Sequence, residues 1–322
     1  MKSNATRSAS PSLRSIAGFL GLFVLLYAVA AMIAEWTVAR TDTETAFQKL
    51  LGARGEQIDW LVLGASHALP LDYGEVPARL RADSGQSMLV LAEIGAGPLY
   101  NRLVLDHALR DLQLQRVLLV LDDFAFHASQ WNEDRIADRS LLRQTPLRLT
   151  TARGMAGMVL REGVDPRALA DYLTGFSKLN PPRLFPEEGW RGARDFERSF
   201  RPSRHAVESR IAYLYPDGAE PARAARYLAT LDALIAEARD NGLEVSVMKP
   251  PLPEIFRNAL PDHAEFERDL RAVLDRRDVP LHDFTEVLDD PGYYFDTDHL
   301  NASGVEAFYE DHLIDLLTAR RD

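Results

Sequence analysis

Cysteine is absent from all 322 residues. Its absence excludes disulfides, thiolate metal sites and a thiol nucleophile, and it suits an oxidising compartment. An excess of positive charge is lacking too: 37 Lys and Arg against 48 Asp and Glu leave a formal net charge of -11. Nonspecific DNA binding needs a basic surface, so no nucleic-acid partner is expected. Neither G-x-G-x-x-G nor a P-loop lysine motif accompanies the glycine turn at Ala92 to Gly97, which leaves nucleotide binding without support and implies no cofactor. There is also no internal repeat and no low-complexity tract.

What the sequence does have is one long uncharged run, Ile16 to Ala34. At about 1.5 Å per residue it covers most of a ~30 Å hydrocarbon core, which predicts a transmembrane helix over 16–36. Lys2, Arg7 and Arg14 precede it and Glu35, Asp42 and Glu44 follow it. That asymmetry places residues 1–15 as a cytoplasmic tail and everything downstream outside the membrane. Ala28 and Ala30 form an A-x-A pattern, so a cleavable signal peptide is the alternative. The run exceeds a usual h-region, which favours an uncleaved single-pass anchor in the cytoplasmic membrane. Residues 37–58 read as a polar connector with some helix, leaving 59–322 as one globular domain.

Within that domain, short apolar runs alternate with helical patterns. Trp60 to Leu63, Met88 to Leu91, Val117 to Leu121, Leu243 to Met248 and Val279 to Phe284 read as strands. Leu69 to Asp83 reads as a loop and short helix. Leu99 to Leu112 and Ala222 to Asp240 carry the helical apolar period, and Asn241-Gly242 reads as a left-handed cap. This order predicts a three-layer α/β/α fold around a parallel sheet of about five strands. The last helix is expected to open on a capping box, Ser303-Gly304-Val305-Glu306.

The candidate chemistry lies at the two ends of the domain. Gly64 ends the first strand and puts Ser66 at the C-terminal edge of the sheet, where open α/β folds collect their active sites. Near the other end, FDTDHLN (295–301) sets Asp296 three residues before His299, the arrangement of a base and its orienter. The expected triad is therefore Ser66, His299 and Asp296. Asp298 is the substitute orienter, and Asp296, Asp298 and His299 as a metal cluster is the weaker reading, so no metal is expected. His67 adjoins Ser66 but should point away from it on an extended segment. A loop glycine can bring a backbone N–H close to a developing oxyanion.

Three blocks together, GASH at 64–67, the glycine loop after the second strand and DTDHLN before the last helix, resemble the SGNH/GDSL hydrolase superfamily. With the membrane anchor, the arrangement is similar to its extracytoplasmic acyl-transfer branch, typified by teichoic acid D-alanyl transfer proteins and alginate O-acetyltransferases. The resemblance runs from about Trp60 to the C-terminus and omits the middle third. It implies that Gly95, with Gly97 as substitute, helps form the oxyanion hole. It also implies a membrane-anchored periplasmic esterase or O-acyltransferase that modifies a cell-envelope polysaccharide, with a polytopic membrane O-acyltransferase as partner. The family often has an asparagine at the end of the third strand, whereas this chain has Asp122 and Asp123, which cannot donate when ionised.

Residues 125–216 form an insertion rich in arginine: Arg135, Arg139, Arg143, Arg148, Arg183, Arg191, Arg194 and Arg201, with Trp131 and Trp190. Arginines beside aromatics could grip a glycan or an anionic polymer. Interleaved acids favour a solvated mixed-charge surface, and the segment is expected to act as a lid or to face the substrate. A catalytically idle, membrane-tethered accessory protein is the alternative to an enzyme.

Overall fold

Five segments become the strands of one parallel sheet: β1 (Gln57–Gly64), β2 (Met88–Val90), β3 (Gln113–Val120), β4 (Glu244–Lys249) and β5 (Leu281–Asp283). This computed structural model describes residues 13–40, 45–180, 192–201, 203–218 and 220–319. The strand order is β2-β1-β3-β4-β5. Observed bounds differ from the expected ones by a few residues, most at β3, which starts four residues earlier. Of Gln113 to Arg116 only Leu114 is apolar, but the segment pairs with β1 from Gln57 onward.

Both faces of the sheet are covered, which is why its strands read as continuous apolar runs rather than alternating ones. Leu61, Leu63, Val117, Leu119, Val245 and Val247 pack on one side with helices Pro98–Asp111, Pro221–Asp240 and Ala264–Arg276. Trp60, Val62, Leu118, Val120 and Met248 pack on the other with helices Leu69–Tyr73, Val76–Ser84 and Ala302–Phe308. The protein is thus a three-layer α/β/α fold. Burying one such side chain contributes ~1.5–3 kcal/mol, so the two cores hold the sheet edge rigidly.

The N-terminal helix is Leu13–Val38, longer than the uncharged run, and its apolar side chains are exposed. Lys2, Arg7, Asp42 and Glu44 lie outside the described residues, as do Arg183, Glu187, Glu188, Trp190 and Arg191. Helix Pro221–Asp240 ends as expected, with Gly242 in the left-handed region at φ +80°. The region read as a loop and short helix is two helices, Leu69–Tyr73 and Val76–Ser84. Ser303 is not the cap of the last helix. Asn301 is: its Oδ1 accepts the Gly304 N–H at 2.9 Å, and the helix starts at Ala302. Asparagine outranks serine here because its Nδ2 also donates to the Gly292 and Arg198 carbonyls, at 2.8 and 3.0 Å. A single side chain therefore pins three segments.

The insertion is largely helical, and several of its arginines are paired with carboxylates. Arg139 pairs with Asp171 at 2.8 Å, Arg135 with Asp138, and Arg148 with Asp111. Trp131 is not an exposed sugar platform. It is buried, with Nε1–H donating to the Leu214 carbonyl at 3.0 Å.

Candidate active site

The sheet order turns around between β1 and β3, the crevice where open α/β folds bind their ligands. Gly64 ends β1 against that neighbour: a Cβ there would sit 2.9 Å from the Val120 Cβ and 3.0 Å from the Val120 carbonyl. Only glycine lets the strand end so close to β3. The chain then bends into a short 3-10 turn, Ser66–Ala68. Ser66 and His67 leave that turn at the mouth of the crevice, and Asp122 closes it from the end of β3.

The far end of the chain arrives by a different route. Tyr294 and Leu300 pair as an antiparallel bridge, and Phe295 N–H donates to the His299 carbonyl at 3.0 Å. The bridge folds the intervening residues into a tight loop, anchored behind by the Asn301 cap. Gly304 is required by that docking, since a Cβ would lie 2.2 Å from the Tyr293 carbonyl.

His299, fully buried, meets Ser66 across the crevice: Nε2 is 2.8 Å from Ser66 Oγ. Its Nδ1 is 2.9 Å from both Asp296 oxygens. A carboxylate only accepts, so Nδ1 carries the proton and Nε2 is left to accept the serine hydroxyl. Asp296 is itself oriented by the His299 and Asp298 backbone N–H groups, at 2.8 and 3.1 Å. Burial opposes its ionisation, but His299 outweighs burial and holds the carboxyl below its usual range. The structure thus brings Ser66, His299 and Asp296 into one hydrogen-bonded network with the connectivity of a nucleophile, a base and an orienter. Asp298, the substitute orienter, is 3.7 Å from Nδ1.

Asp298 instead serves a second histidine. His67 does not point away from the site, because its backbone is a turn rather than a strand. Its ring stacks on that of His299, with centroids 4.5 Å apart and planes 20° from parallel. Its Nδ1 is 2.5 Å from Asp122, and its Nε2 is 3.2 Å from Asp298 Oδ2. Burial alone would remove its proton, but Asp122 and Asp298 outweigh burial and raise its pKa from 6.5 to about 10. Asp298 also receives the Arg210 guanidinium, at 3.1 Å to each oxygen. Burial again opposes ionisation, yet Arg210 and the two histidines hold Asp298 well below the usual carboxylate range. Arg210 lies on the insertion helix Arg204–Leu214, so the middle third does reach the site.

The metal-binding atoms of His67, Asp298 and His299 lie within 4.8 Å of one another. Each already has a partner: Asp122 for His67, Arg210 for Asp298, and Ser66 with Asp296 for His299. A cation would have to displace those contacts.

The glycine loop runs beside the end of β1, where Glu93 N–H donates to the Gly64 carbonyl at 3.3 Å. Gly95 has φ +63°, and a Cβ on it would meet the Trp131 ring at 2.7 Å. Its N–H has no acceptor among the described residues. Gly97 cannot substitute for it, because the Gly97 N–H is spent on the Trp131 carbonyl at 2.6 Å. Asp122 and Asp123 are bound to His67 and Lys249. Sequence reasoning missed the roles of His67 and Asp122, although both stood at strand ends already singled out. Nothing in the sequence marked Arg210.

No protein-family model matches the chain, and no curated protein does. Among solved structures, the chain is similar to a Bacteroides fragilis protein assigned as an acylhydrolase, at 9% identity and a TM-score of 0.41, over 85% of this chain and 99% of that one. It is also similar to a Streptococcus pneumonia protein assigned as a platelet activating factor, at 13% identity and a TM-score of 0.39, over 95% and 100%. With both TM-scores below 0.5, the reading of the site rests on this chain's own geometry.

Proposed function

We propose that the protein is a membrane-anchored serine esterase or O-acyltransferase of the SGNH/GDSL type. The observation that carries this is the unbroken chain Ser66 Oγ, His299, Asp296, with contacts of 2.8 and 2.9 Å. Ser66 Oγ attacks an ester carbonyl while His299 Nε2 takes its proton and Asp296 holds the imidazolium. The oxyanion forms against the Ser66 and Gly95 backbone N–H groups. Collapse breaks the ester C–O bond, His299 returns the proton to the leaving alcohol, and an acyl-Ser66 ester remains. Water or a sugar hydroxyl then attacks that ester, giving its proton to His299 and freeing Ser66.

The anchor, together with the charge asymmetry around it, supports an extracytoplasmic domain, with a cell-envelope polysaccharide as acceptor and a polytopic membrane O-acyltransferase as donor. A fluorophosphonate probe tests the core of this: it should label the wild type and not Ser66→Ala. Transfer of an acetyl group to added glycan, measured against release to water, then separates transferase from esterase. One observation favours an idle accessory protein instead: β3 ends in two carboxylates where a side-chain oxyanion donor would help. Wild-type protein that resists the probe would select that reading.

A further inference from the structure

The helices between Leu141 and Asn180 contribute nothing to the Ser66 site, yet they hold the apolar surface of the domain. Outside helix Leu13–Val38, the exposed large hydrophobic residues among those described are Leu147, Leu149, Leu160, Leu173 and Tyr213. Four of the five fall in this stretch, with Leu149 at 65% and Leu173 at 53% exposure. We propose that this surface is a second membrane contact, seated on the lipid leaflet from which Leu13–Val38 emerges. The proposal rests on the reading of that helix as membrane-spanning.

Depth supplies the first argument. The uncharged run from Ile16 to Ala34 rises about 27 Å as a helix, so a ~30 Å hydrocarbon core needs all of it. Ala31 therefore lies only about 5 Å inside the core's edge. Gly175 packs against that residue: a Cβ on Gly175 would meet the Ala31 Cβ at 3.6 Å. The segment around Gly175 is thus about one helical turn deeper than Glu35, at the boundary between headgroups and acyl chains.

Charge supplies the second. Glu35, the first acid after the run, is held by this same region: it accepts the Leu147 N–H at 2.7 Å and pairs with Lys178. An acid at the hydrocarbon edge is costly unless paired, and the Lys178 side chain is 3% exposed. Residues 141–180 carry six basic and three acidic side chains, in a chain of net charge -11. On helix Leu149–Arg161, the exposed Leu149, Arg153 and Leu160 lie along one stripe. Apolar side chains flanking an arginine suit an interfacial helix, whose leucines enter lipid while the guanidinium reaches the headgroups. Two contacts, one spanning and one lying flat, would fix the height and tilt of the Ser66 crevice over the membrane.

Because the chain lacks cysteine, single nitroxide labels can be placed by Leu149→Cys, Leu173→Cys, Val24→Cys and Glu310→Cys in the full-length protein. Glu310 is exposed in the layer opposite the insertion. In vesicles of mixed neutral and anionic lipid, labels at 149 and 173 should lose about threefold or more of the water-soluble nickel accessibility seen at 310, and gain access to oxygen. Nickel accessibility at 149 and 173 equal to that at 310, with 24 protected, would overturn the second contact alone. Failure of 24 to be protected would overturn the spanning reading with it. Protection that fades on dilution with lipid would assign the surface to a second copy and overturn the proposal. Leu160→Cys replaces either site if a labelled variant melts below the wild type.

Discussion

Two buried histidines stacked 4.5 Å apart each have an aspartate on Nδ1, and they are built for opposite ends. The difference is at Nε2. His299 faces the Ser66 hydroxyl, a group that gains reactivity when it loses its proton. His67 faces a second carboxylate, Asp298, and between two acids its proton has nowhere to go. Local pairing with an aspartate therefore does not distinguish the two rings. What the other nitrogen touches does.

The comparison breaks most sharply in kinetics. His299→Gln should slow phosphonylation of Ser66 by the fluorophosphonate probe by about 10³–10⁴-fold, with a smaller fall in melting temperature than His67→Gln, because Gln can still donate to the partly exposed Asp296. His67→Gln should do the reverse. It leaves Asp122 and Asp298 buried with one cation fewer, which costs about 3 kcal/mol of stability. If His67→Gln silenced the probe while the fold stayed intact, the roles given to the two rings would be wrong.

The orienting carboxylates come next. Asp296→Asn should approach the His299 variant in lost rate, because an amide can hold the imidazole in the wrong tautomer. Asp298→Asn should fall well short of that, since it stands 3.7 Å from Nδ1, and should show itself as a lower melting temperature through Arg210. Equal rate losses in the two would reinstate Asp298 as the orienter.

A smaller effect follows from the proton on His67. Its folded pKa of about 10 exceeds the unfolded 6.5. Its stabilisation is thus complete below about pH 6.5 and fades as pH rises towards 10. Urea midpoints of the wild type should fall across that window, and those of His67→Gln should fall less. Parallel profiles would mean that the buried proton is not there.

How much of this was legible depended on whether the signal was local. Each strand announced itself through a short apolar run, since burial on both faces leaves no other composition. Ser66, Asp296 and His299 were legible because each sits beside a turn: Gly64 behind the serine, and the Tyr294–Leu300 bridge around the other two. The role of His67 was misjudged by treating Ser66–Ala68 as extended. That error turns on two backbone angles, which the tetrapeptide GASH does not reveal. The hub role of Asn301 was misassigned to Ser303, since a cap is chosen by what else the side chain can reach. Arg210 was invisible: an arginine in a mixed-charge insertion reads as surface, and only the fold brings it to a residue 88 positions away.

A third histidine isolates what burial does without a carboxylate. His127 is 2% exposed, neither ring nitrogen has a partner, and it is packed among Tyr215, His263 and Phe266. Burial, then the neighbouring His263, lower its pKa from 6.5 to about 4. The sign is opposite to that of His67: the unfolded chain takes up the proton first, so stability is lost as pH falls from about 6.5 towards 4. His127→Phe keeps the ring contacts and removes the proton site. Between those limits the variant's melting temperature should therefore decline less than that of the wild type. The carboxylates of Asp296 and Asp298, both held below their usual range, account for acid loss further down and should leave the two curves parallel there. If the curves were parallel throughout, solvent would be reaching His127, and the contrast with His67 would rest on its carboxylates alone.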